Sequence, residues 1–186
     1  MIYLIDHQDS FTWNVVHQFA KFDKVICTNY YEVNNKLLDK SDVIVFSPGP
    51  GSPKDYPMSS KIYKKYKGKK KIIGICLGYQ MILYNEGGKI VQQKKIYHGF
   101  QSKIKVNSQS KIFKNNQNFK VGRYHSLKLK EPFNSDSIRI TMRCSLTNIP
   151  MGLEDDRNKI YGFQFHPESF LTENGNTIIK KILSAK

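Results

Sequence analysis

Cysteine is scarce in this sequence. Three cysteines, Cys27, Cys76 and Cys144, occur among 186 residues, and they lie far apart. A small, odd number of widely spaced cysteines does not suit the paired framework that stabilises disulfide-rich secreted domains. The cysteine content therefore argues against such a fold and predicts a reducing, cytoplasmic location.

Long apolar runs are also absent. No uninterrupted apolar stretch approaches the roughly 20 residues that a membrane-spanning helix needs. The opening stretch, MIYLIDHQDS, reaches an acidic residue at Asp6 without a basic segment before it, so we expect no signal peptide. A hydrophobic fraction of 39% and an aromatic fraction of 12% instead predict a globular domain with a substantial core.

Acidic residues are half as frequent as basic ones, 15 against 30, which gives a net charge of +15. Such a chain could bind nucleic acid or an anionic membrane by releasing counterions. However, only four of the basic residues are arginines, and arginine is the side chain that most often reads bases and clamps phosphates. We therefore interpret most of the lysines as solvated surface residues, some of which could help the chain dock to an acidic partner protein. A basic nucleic-acid-binding protein with an inert cysteine stays as a distant alternative.

The first half of the sequence alternates between apolar runs and helical patterns. Asp9 or Ser10 could cap the first of these helices. Alternating strands and helices predict an α/β fold, a mostly parallel central sheet flanked by helices, in a single domain over residues 1–186. The predicted strands are IYLID, KVICT, DVIVFS and KIIGI, and the predicted helices are FTWNVVHQFAKF, a segment beginning at SSKIYKKY, and LGYQMILYNEGG closed by Gly87 and Gly88.

The pattern changes after Lys89. Short alternating runs follow with few helical candidates, which predicts an antiparallel extension of the sheet. These runs are SKIKV, FKVGRYH, SIRITMR and KIYGFQF. The stretch TENGNTIIKKIL then predicts a closing amphipathic helix, because its isoleucines and Leu183 recur on one face.

The segment GICLG, at the junction of a predicted strand and a predicted helix, could be either a crowded turn or a nucleophile elbow. In an elbow, Gly74 and Gly78 avoid the collisions that a β-carbon would cause, and Cys76 is presented at the start of a helix. The helix dipole and free N–H groups favour the thiolate there. The N–H of Leu77 would then point toward the oxygen of an attacked carbonyl.

His166 is the best candidate for the base that such a nucleophile needs. It ends an apolar strand, and Glu168 follows two residues later. Residues i and i+2 of an extended segment face the same side, and Pro167 favours that conformation, so Glu168 could orient the imidazole. Of the other histidines, His7 and His17 are expected at the surface or an interface, His98 is expected to be structural, and His125 could line the site.

The loop SPGPGSP, residues 47 to 53, follows the third predicted strand. Its prolines restrict the backbone, and its glycines leave N–H groups approachable, which suits a second oxyanion donor. It is not a phosphate-binding loop, because no Gly-Lys-Ser/Thr follows.

Together, the motifs SPGPG, GICLGYQ, YHSL and GFQFHPES resemble those of class I glutamine amidotransferases in sequence, order and spacing. With DHQDSFTWN near the start, the sequence is most similar to the glutaminase subunits of anthranilate synthase and aminodeoxychorismate synthase. The PGPG form also favours this branch. The motifs span nearly the whole chain.

The resemblance implies a role for each matching residue. Cys76 would be the nucleophile, His166 the acid and base, and Glu168 its orienting group. Backbone N–H groups of Gly51 and Leu77 would form the oxyanion hole. The residues implied to hold glutamine are Gly49, Pro50, Gly51, Gln80, Ser126 and Leu127.

The resemblance also implies a partner and a cofactor requirement. The chain would release ammonia from L-glutamine and deliver it to a chorismate-binding large subunit, that of anthranilate synthase in tryptophan biosynthesis. The alternative is aminodeoxychorismate synthase in folate biosynthesis, or service to both. The glutaminase half-reaction would need no metal or organic cofactor, and Mg²⁺ would belong to the partner subunit. No nucleic acid or membrane partner is expected.

Two positions depart from the family pattern. Tyr79 replaces a common histidine, and Phe100 replaces a common lysine after His98-Gly99. Either change could alter packing around the substrate or the surface that faces the synthase. Two further alternatives are a catalytically inactive regulatory subunit and a peptidase or γ-glutamyl hydrolase that uses the same elbow.

Overall fold

A computed structural model describes residues 1–185 of the chain, and in this range nine strands form one sheet flanked by helices. The strands Ile90–Gln92 and Leu127–Leu129 form a separate two-stranded sheet. The elements are β1 Ile2–Asp6, α1 Thr12–Ala20, β2 Val25–Asn29, α2 Asn35–Lys40, β3 Val43–Phe46, a 3₁₀ turn Pro53–Asp55, α3 Pro57–Tyr66, β4 Lys71–Ile75, α4 Leu77–Asn85, β5 Ile90–Gln92, β6 Phe100–Val106, β7 Asn118–Arg123, β8 Leu127–Leu129, β9 Arg139–Cys144, β10 Pro150–Asp155, β11 Ile160–Phe163 and α5 Gly175–Ser184.

The large sheet has a parallel half and an antiparallel half. Its strand order is β2-β1-β3-β4-β11-β10-β9-β6-β7. The strands from β2 to β11 run parallel, and each pair from β11 to β7 runs antiparallel. The predicted α/β class, with a parallel sheet and an antiparallel extension, is confirmed.

Strand β11 occupies a different position in the sheet from the one that its sequence pattern predicted. The run KIYGFQF was expected in the antiparallel extension, but β11 inserts beside β4 and runs parallel to it, with Gly162 opposite Gly74 and Phe163 opposite Ile75. This register brings the ends of β4 and β11 together at one edge of the sheet. Ligands of open α/β sheets bind at the carboxyl ends of parallel strands, so this pairing decides where a site can form.

Both faces of the parallel half are buried, which explains its nearly continuous apolar runs. Alternate residues of β1 point to opposite sides: Leu4 joins the core beneath α1 and α5, whereas Tyr3 and Ile5 join the core beneath α3 and α4. Helix α5 contributes Ile178, among others, to the first core, as its amphipathic pattern predicted.

The ends of two helices test the sequence interpretation in detail. Helix α4 ends at Asn85, and Gly87 follows with φ +85°, as the paired glycines predicted. The cap predicted for α1 was wrong. Phe11 precedes that helix without a side-chain cap, and the Asp9 carboxylate instead accepts the Phe11 N–H at 2.8 Å, because the chain turns before the helix begins.

Among residues 1–185, the helices are too short or too polar to cross a bilayer.

Candidate active site

The turn between β4 and α4 holds Cys76 in a strained conformation. Its backbone has φ 52° and ψ −100°, a region that residues with a β-carbon rarely occupy. A β-carbon on Gly78 would lie 2.2 Å from the Phe46 carbonyl oxygen, and one on Gly74 would lie 2.5 Å from the Gly78 backbone. The glycines therefore relieve real crowding, and that relief is what allows the turn to present Cys76.

His166 and Glu168 form a buried pair. Nδ1 of His166 lies 2.6 Å from Oε1 of Glu168, and both side chains are almost completely inaccessible to solvent. The backbone of His166 is anchored on both sides, since its N–H donates to the Gly122 carbonyl at 3.1 Å and its carbonyl accepts from the Thr172 hydroxyl at 2.6 Å. The predicted extended conformation of this segment was wrong: the chain turns at Pro167 and Glu168, and the Ser169 N–H donates to the His166 carbonyl at 3.2 Å. This turn, rather than an extended strand, brings the Glu168 carboxylate to the imidazole.

The surrounding charges favour the imidazolium form of His166. Burial alone would lower the pKa of His166, but the negative charges of Glu168 and Cys76 outweigh burial and raise that pKa well above its ordinary value. Within residues 1–185, Nε2 of His166 is buried without a hydrogen-bond partner. This nitrogen is therefore available to exchange a proton with a group at Cys76.

Cys76 opens into a cavity of about 290 Å³ at the carboxyl edge of the parallel strands. Seven of the residues predicted for the site line it: Gly49, Pro50, Gly51, Cys76, Gln80, Ser126 and Leu127. Leu77, the first residue of α4, is buried and is not among the lining residues. The cavity is also lined by Gln8, Asp9, Ser10, Tyr124 and His125. Gln8, Asp9 and Ser10 belong to the DHQDS motif. This motif contributed to the family resemblance, but the sequence did not predict that its residues line the site.

The loop after β3 forms one wall of this cavity. Gly51 has φ +71°, and a β-carbon on Gly49 would lie 2.6 Å from both the His7 and Leu77 side chains. The loop is therefore held against the end of β1 and the start of α4. The first four N–H groups of a helix have no partner within it, so the N–H of Leu77 is placed to serve a ligand beside Cys76.

His7 was expected at the surface or at an interface, and this expectation was wrong. Its side chain is completely buried, with Nδ1 3.2 Å from the Ser47 hydroxyl and Nε2 3.0 Å from the Ser59 hydroxyl. Its ring also packs edge-on against Tyr56, whose hydroxyl donates to the Pro50 carbonyl at 2.9 Å. Burial lowers the pKa of His7 to about 3, so this histidine is neutral and braces the loop.

The remaining histidines fall into two groups. His17 and His98 are exposed, so the structural role expected for His98 is not supported by burial. His125 lines the cavity, as the sequence suggested. Its pKa falls to about 3, mainly through burial and also through the charge of Arg123, which donates to His125 Nε2 at 3.0 Å. His125 is thus held neutral and fixed, unlike His166.

Gln164 is a contact of the nucleophile that the sequence did not single out. It is completely buried, and its Nε2 lies 3.8 Å from the Cys76 sulfur. Its Oε1 accepts a hydrogen bond from Gln80 at 3.0 Å. Only its place two residues before His166, next to the end of β11, could have indicated this contact.

The two departures from the family pattern lie outside the cavity wall. Tyr79 is completely buried, its hydroxyl has no partner within the described residues, and burial raises its pKa. Phe100 is 47% exposed at the start of β6, with the Lys95 ammonium 5.1 Å from its ring centre. Tyr79 therefore changes internal packing behind the site, and Phe100 changes the surface.

Comparisons with known proteins find relatives that match nearly the whole chain. The family model "Glutamine amidotransferase class-I" matches residues 3–185. The chain is 35% identical to anthranilate synthase component 2 of Lactococcus lactis, over 99% of this chain and 94% of that protein. It is also 35% identical to aminodeoxychorismate synthase component 2 of Escherichia coli, over 98% of this chain and 99% of that protein. The fold matches a crystal structure described as a GMP synthase subunit, from Thermoplasma acidophilum, with a TM-score of 0.84 at 22% identity, over 99% of this chain and 92% of that one.

Proposed function

The chain belongs to the class I glutamine amidotransferase family, and from this membership and the geometry around Cys76 we propose that it hydrolyses L-glutamine to glutamate and ammonia. The observation that carries the proposal is the strained turn that presents Cys76 to a 290 Å³ cavity, beside a buried His166–Glu168 pair. A thiol, an imidazole and an orienting carboxylate are the groups that amide cleavage through a thioester requires.

The proposed reaction has two steps. The Cys76 thiolate attacks the side-chain carbonyl carbon of glutamine, and the carbonyl oxygen is stabilised by the N–H groups of Gly51 and Leu77. His166 protonates the departing nitrogen, so that ammonia leaves and a γ-glutamyl thioester remains. His166 then takes a proton from water, which attacks the thioester and releases glutamate and the thiolate.

We assign the cavity walls to substrate binding. Backbone groups of Gly49, Pro50 and Gly51 on one side, and Ser126 and Leu127 on the other, would hold the amino-acid part of glutamine. The amide of Gln80 would complete the site. In this scheme the half-reaction uses only protein groups and water, and Mg²⁺ would be required by the partner rather than by this chain.

We further propose that the ammonia passes to a chorismate-binding synthase subunit, and we take this subunit to be that of anthranilate synthase. The relatives of this chain include second components of anthranilate synthase and of aminodeoxychorismate synthase, each named as one component of a synthase. Since both types match at 35% identity, service to aminodeoxychorismate synthase is the second candidate. Affinity capture of the native complex, followed by identification of its large subunit, would distinguish them, and capture of neither synthase would contradict this assignment.

The catalytic assignment is tested by replacing Cys76 in the reconstituted complex. Cys76→Ser should abolish glutamine-dependent product formation and preserve formation from added ammonium, because the synthase site is untouched. Cys27→Ser is the matched control: this cysteine lies on β2, and burial, with a smaller effect from Asp6, raises its pKa to about 11. Glutamine-dependent turnover retained in Cys76→Ser would show that the nucleophile is assigned to the wrong residue.

A further inference from the structure

Gln164 contacts the sulfur of the nucleophile but is not among the residues that line the cavity. It follows the last residue of β11, and its backbone N–H donates to the Met151 carbonyl at 3.0 Å. Its side chain is completely buried and does not line the substrate cavity. The role assigned to Gln164 therefore cannot be direct contact with glutamine.

The orientation of the Gln164 amide is determined by its neighbour. Nε2 of Gln80 donates to Oε1 of Gln164 at 3.0 Å, and the same Gln80 nitrogen faces the Leu127 carbonyl at 3.5 Å. A reversed Gln164 amide would bring two donor nitrogens together and turn its oxygen toward the Cys76 sulfur. The observed orientation instead points an N–H of Gln164 at that sulfur, 3.8 Å away.

We propose that Gln164 is a further catalytic residue, which donates a hydrogen bond to the Cys76 thiolate and is held in place for this purpose by Gln80. A thiolate in a buried site needs donors, because a charge removed from water is costly unless it is paired or hydrogen-bonded. The Gln164 amide supplies such a donor, with its Nε2 3.8 Å from the sulfur. The donor acts in the free enzyme and again when hydrolysis of the thioester returns the negative charge to sulfur. This proposal deepens the proposed function, on which it rests for the role of Cys76.

The arrangement also connects the substrate cavity with the nucleophile. Gln80 lines the cavity, and its amide contacts Gln164, which in turn contacts Cys76. A substrate that shifts the Gln80 amide therefore shifts the donor on the sulfur.

The test measures the rate at which iodoacetamide alkylates Cys76 as a function of pH, with mass spectrometry to separate Cys76 from the other cysteines. Thiolates react and thiols do not, so the pH at half-maximal rate reports how strongly the site stabilises the thiolate. Gln164→Met, which keeps the length of the side chain but lacks the donor, should move this midpoint upward by about one unit, since one charge-assisted hydrogen bond is lost. Gln164→Glu, which places an acceptor there, should move it further in the same direction.

Gln18→Met provides the matched control. Gln18 is another buried glutamine, but its amide donates to the Pro167 carbonyl at 2.9 Å and not to the sulfur. Its alkylation midpoint should equal that of the wild-type protein. An unchanged midpoint in a folded Gln164→Met protein would overturn the proposal, and if that variant does not fold, an unchanged midpoint in Gln164→Glu would do so. Because alkylation requires neither glutamine nor a partner, an absence of glutaminase activity would contradict the proposed function separately.

Discussion

Replacing Glu168 with glutamine isolates the contribution of one buried charge to the proposed reaction. The carboxylate lies 2.6 Å from His166 Nδ1, and neither side chain is accessible to water. Glutamine has the same shape, and its amide oxygen can still accept the Nδ1 proton, so the imidazole should keep its orientation. The variant therefore removes charge while largely preserving geometry.

The magnitude follows from the separation of the two charges. At charge centres about 4 Å apart and an effective dielectric constant of about 20, their attraction is about 4 kcal/mol. This corresponds to about three pKa units, or a factor of about 10³ in the population of the imidazolium form. Without Glu168, burial would dominate and lower the pKa of His166. We therefore expect kcat/KM for glutamine to fall about 10²- to 10³-fold.

The assay is the release of glutamate by the reconstituted complex, with ammonium-dependent synthesis measured in parallel. Glu173→Gln is the control, because Glu173 lies on the same loop but is half exposed and only pairs with Lys120 at 3.4 Å. That variant should match the wild-type rate. If Glu168→Gln lost less than about fivefold in kcat/KM, the charge of Glu168 would not be supporting His166, and the reasoning would fail.

Two further predictions concern stability, measured by urea unfolding. Gly78→Ala should lower the free energy of unfolding by more than about 3 kcal/mol. The added β-carbon would lie 2.2 Å from the carbonyl oxygen of Phe46, which belongs to a buried central strand that cannot easily move. A decrease of less than about 1 kcal/mol would contradict this prediction. His7 should make the protein less stable as the pH falls from 6.5 toward 3: its pKa is about 3 in the folded state, so only the unfolded chain gains a proton in this window. When the pH is lowered from 7 to 5, the free energy of unfolding of His7→Asn should therefore decrease by about 2 kcal/mol less than that of the wild-type protein. Equal decreases would show that His7 is not the group responsible.

The sequence predicted the parallel half of the fold well, because its strands are apolar and are separated by clear helical patterns. β1 and β4 occur at the predicted residues. It failed to identify α2, which is short and polar. It also misplaced β11, since alternating polarity reveals that a strand is half buried but not which neighbour it pairs with or in which direction.

The candidate site was predictable where a local motif carries the chemistry. The Cys76 elbow and the His166–Glu168 pair are each formed by residues that are close together in the sequence. His7 and Gln164 were not predictable in this way. Their partners are distant in the chain: Ser47 and Ser59 for His7, and Cys76 for Gln164. Only the completed sheet brings such residues together.

The backbone strain at Cys76 has an evolutionary consequence. A residue with a β-carbon in such a conformation costs about 1–3 kcal/mol, which the rest of the fold must offset. A mutation to glycine would relieve that cost while removing the sulfur, so stability and catalysis oppose each other at this one position. Purifying selection for glutamine use is therefore what keeps the thiol. In a lineage supplied with ammonium alone, Cys76 would be among the first residues to be substituted, and the domain would gain stability as it lost its activity.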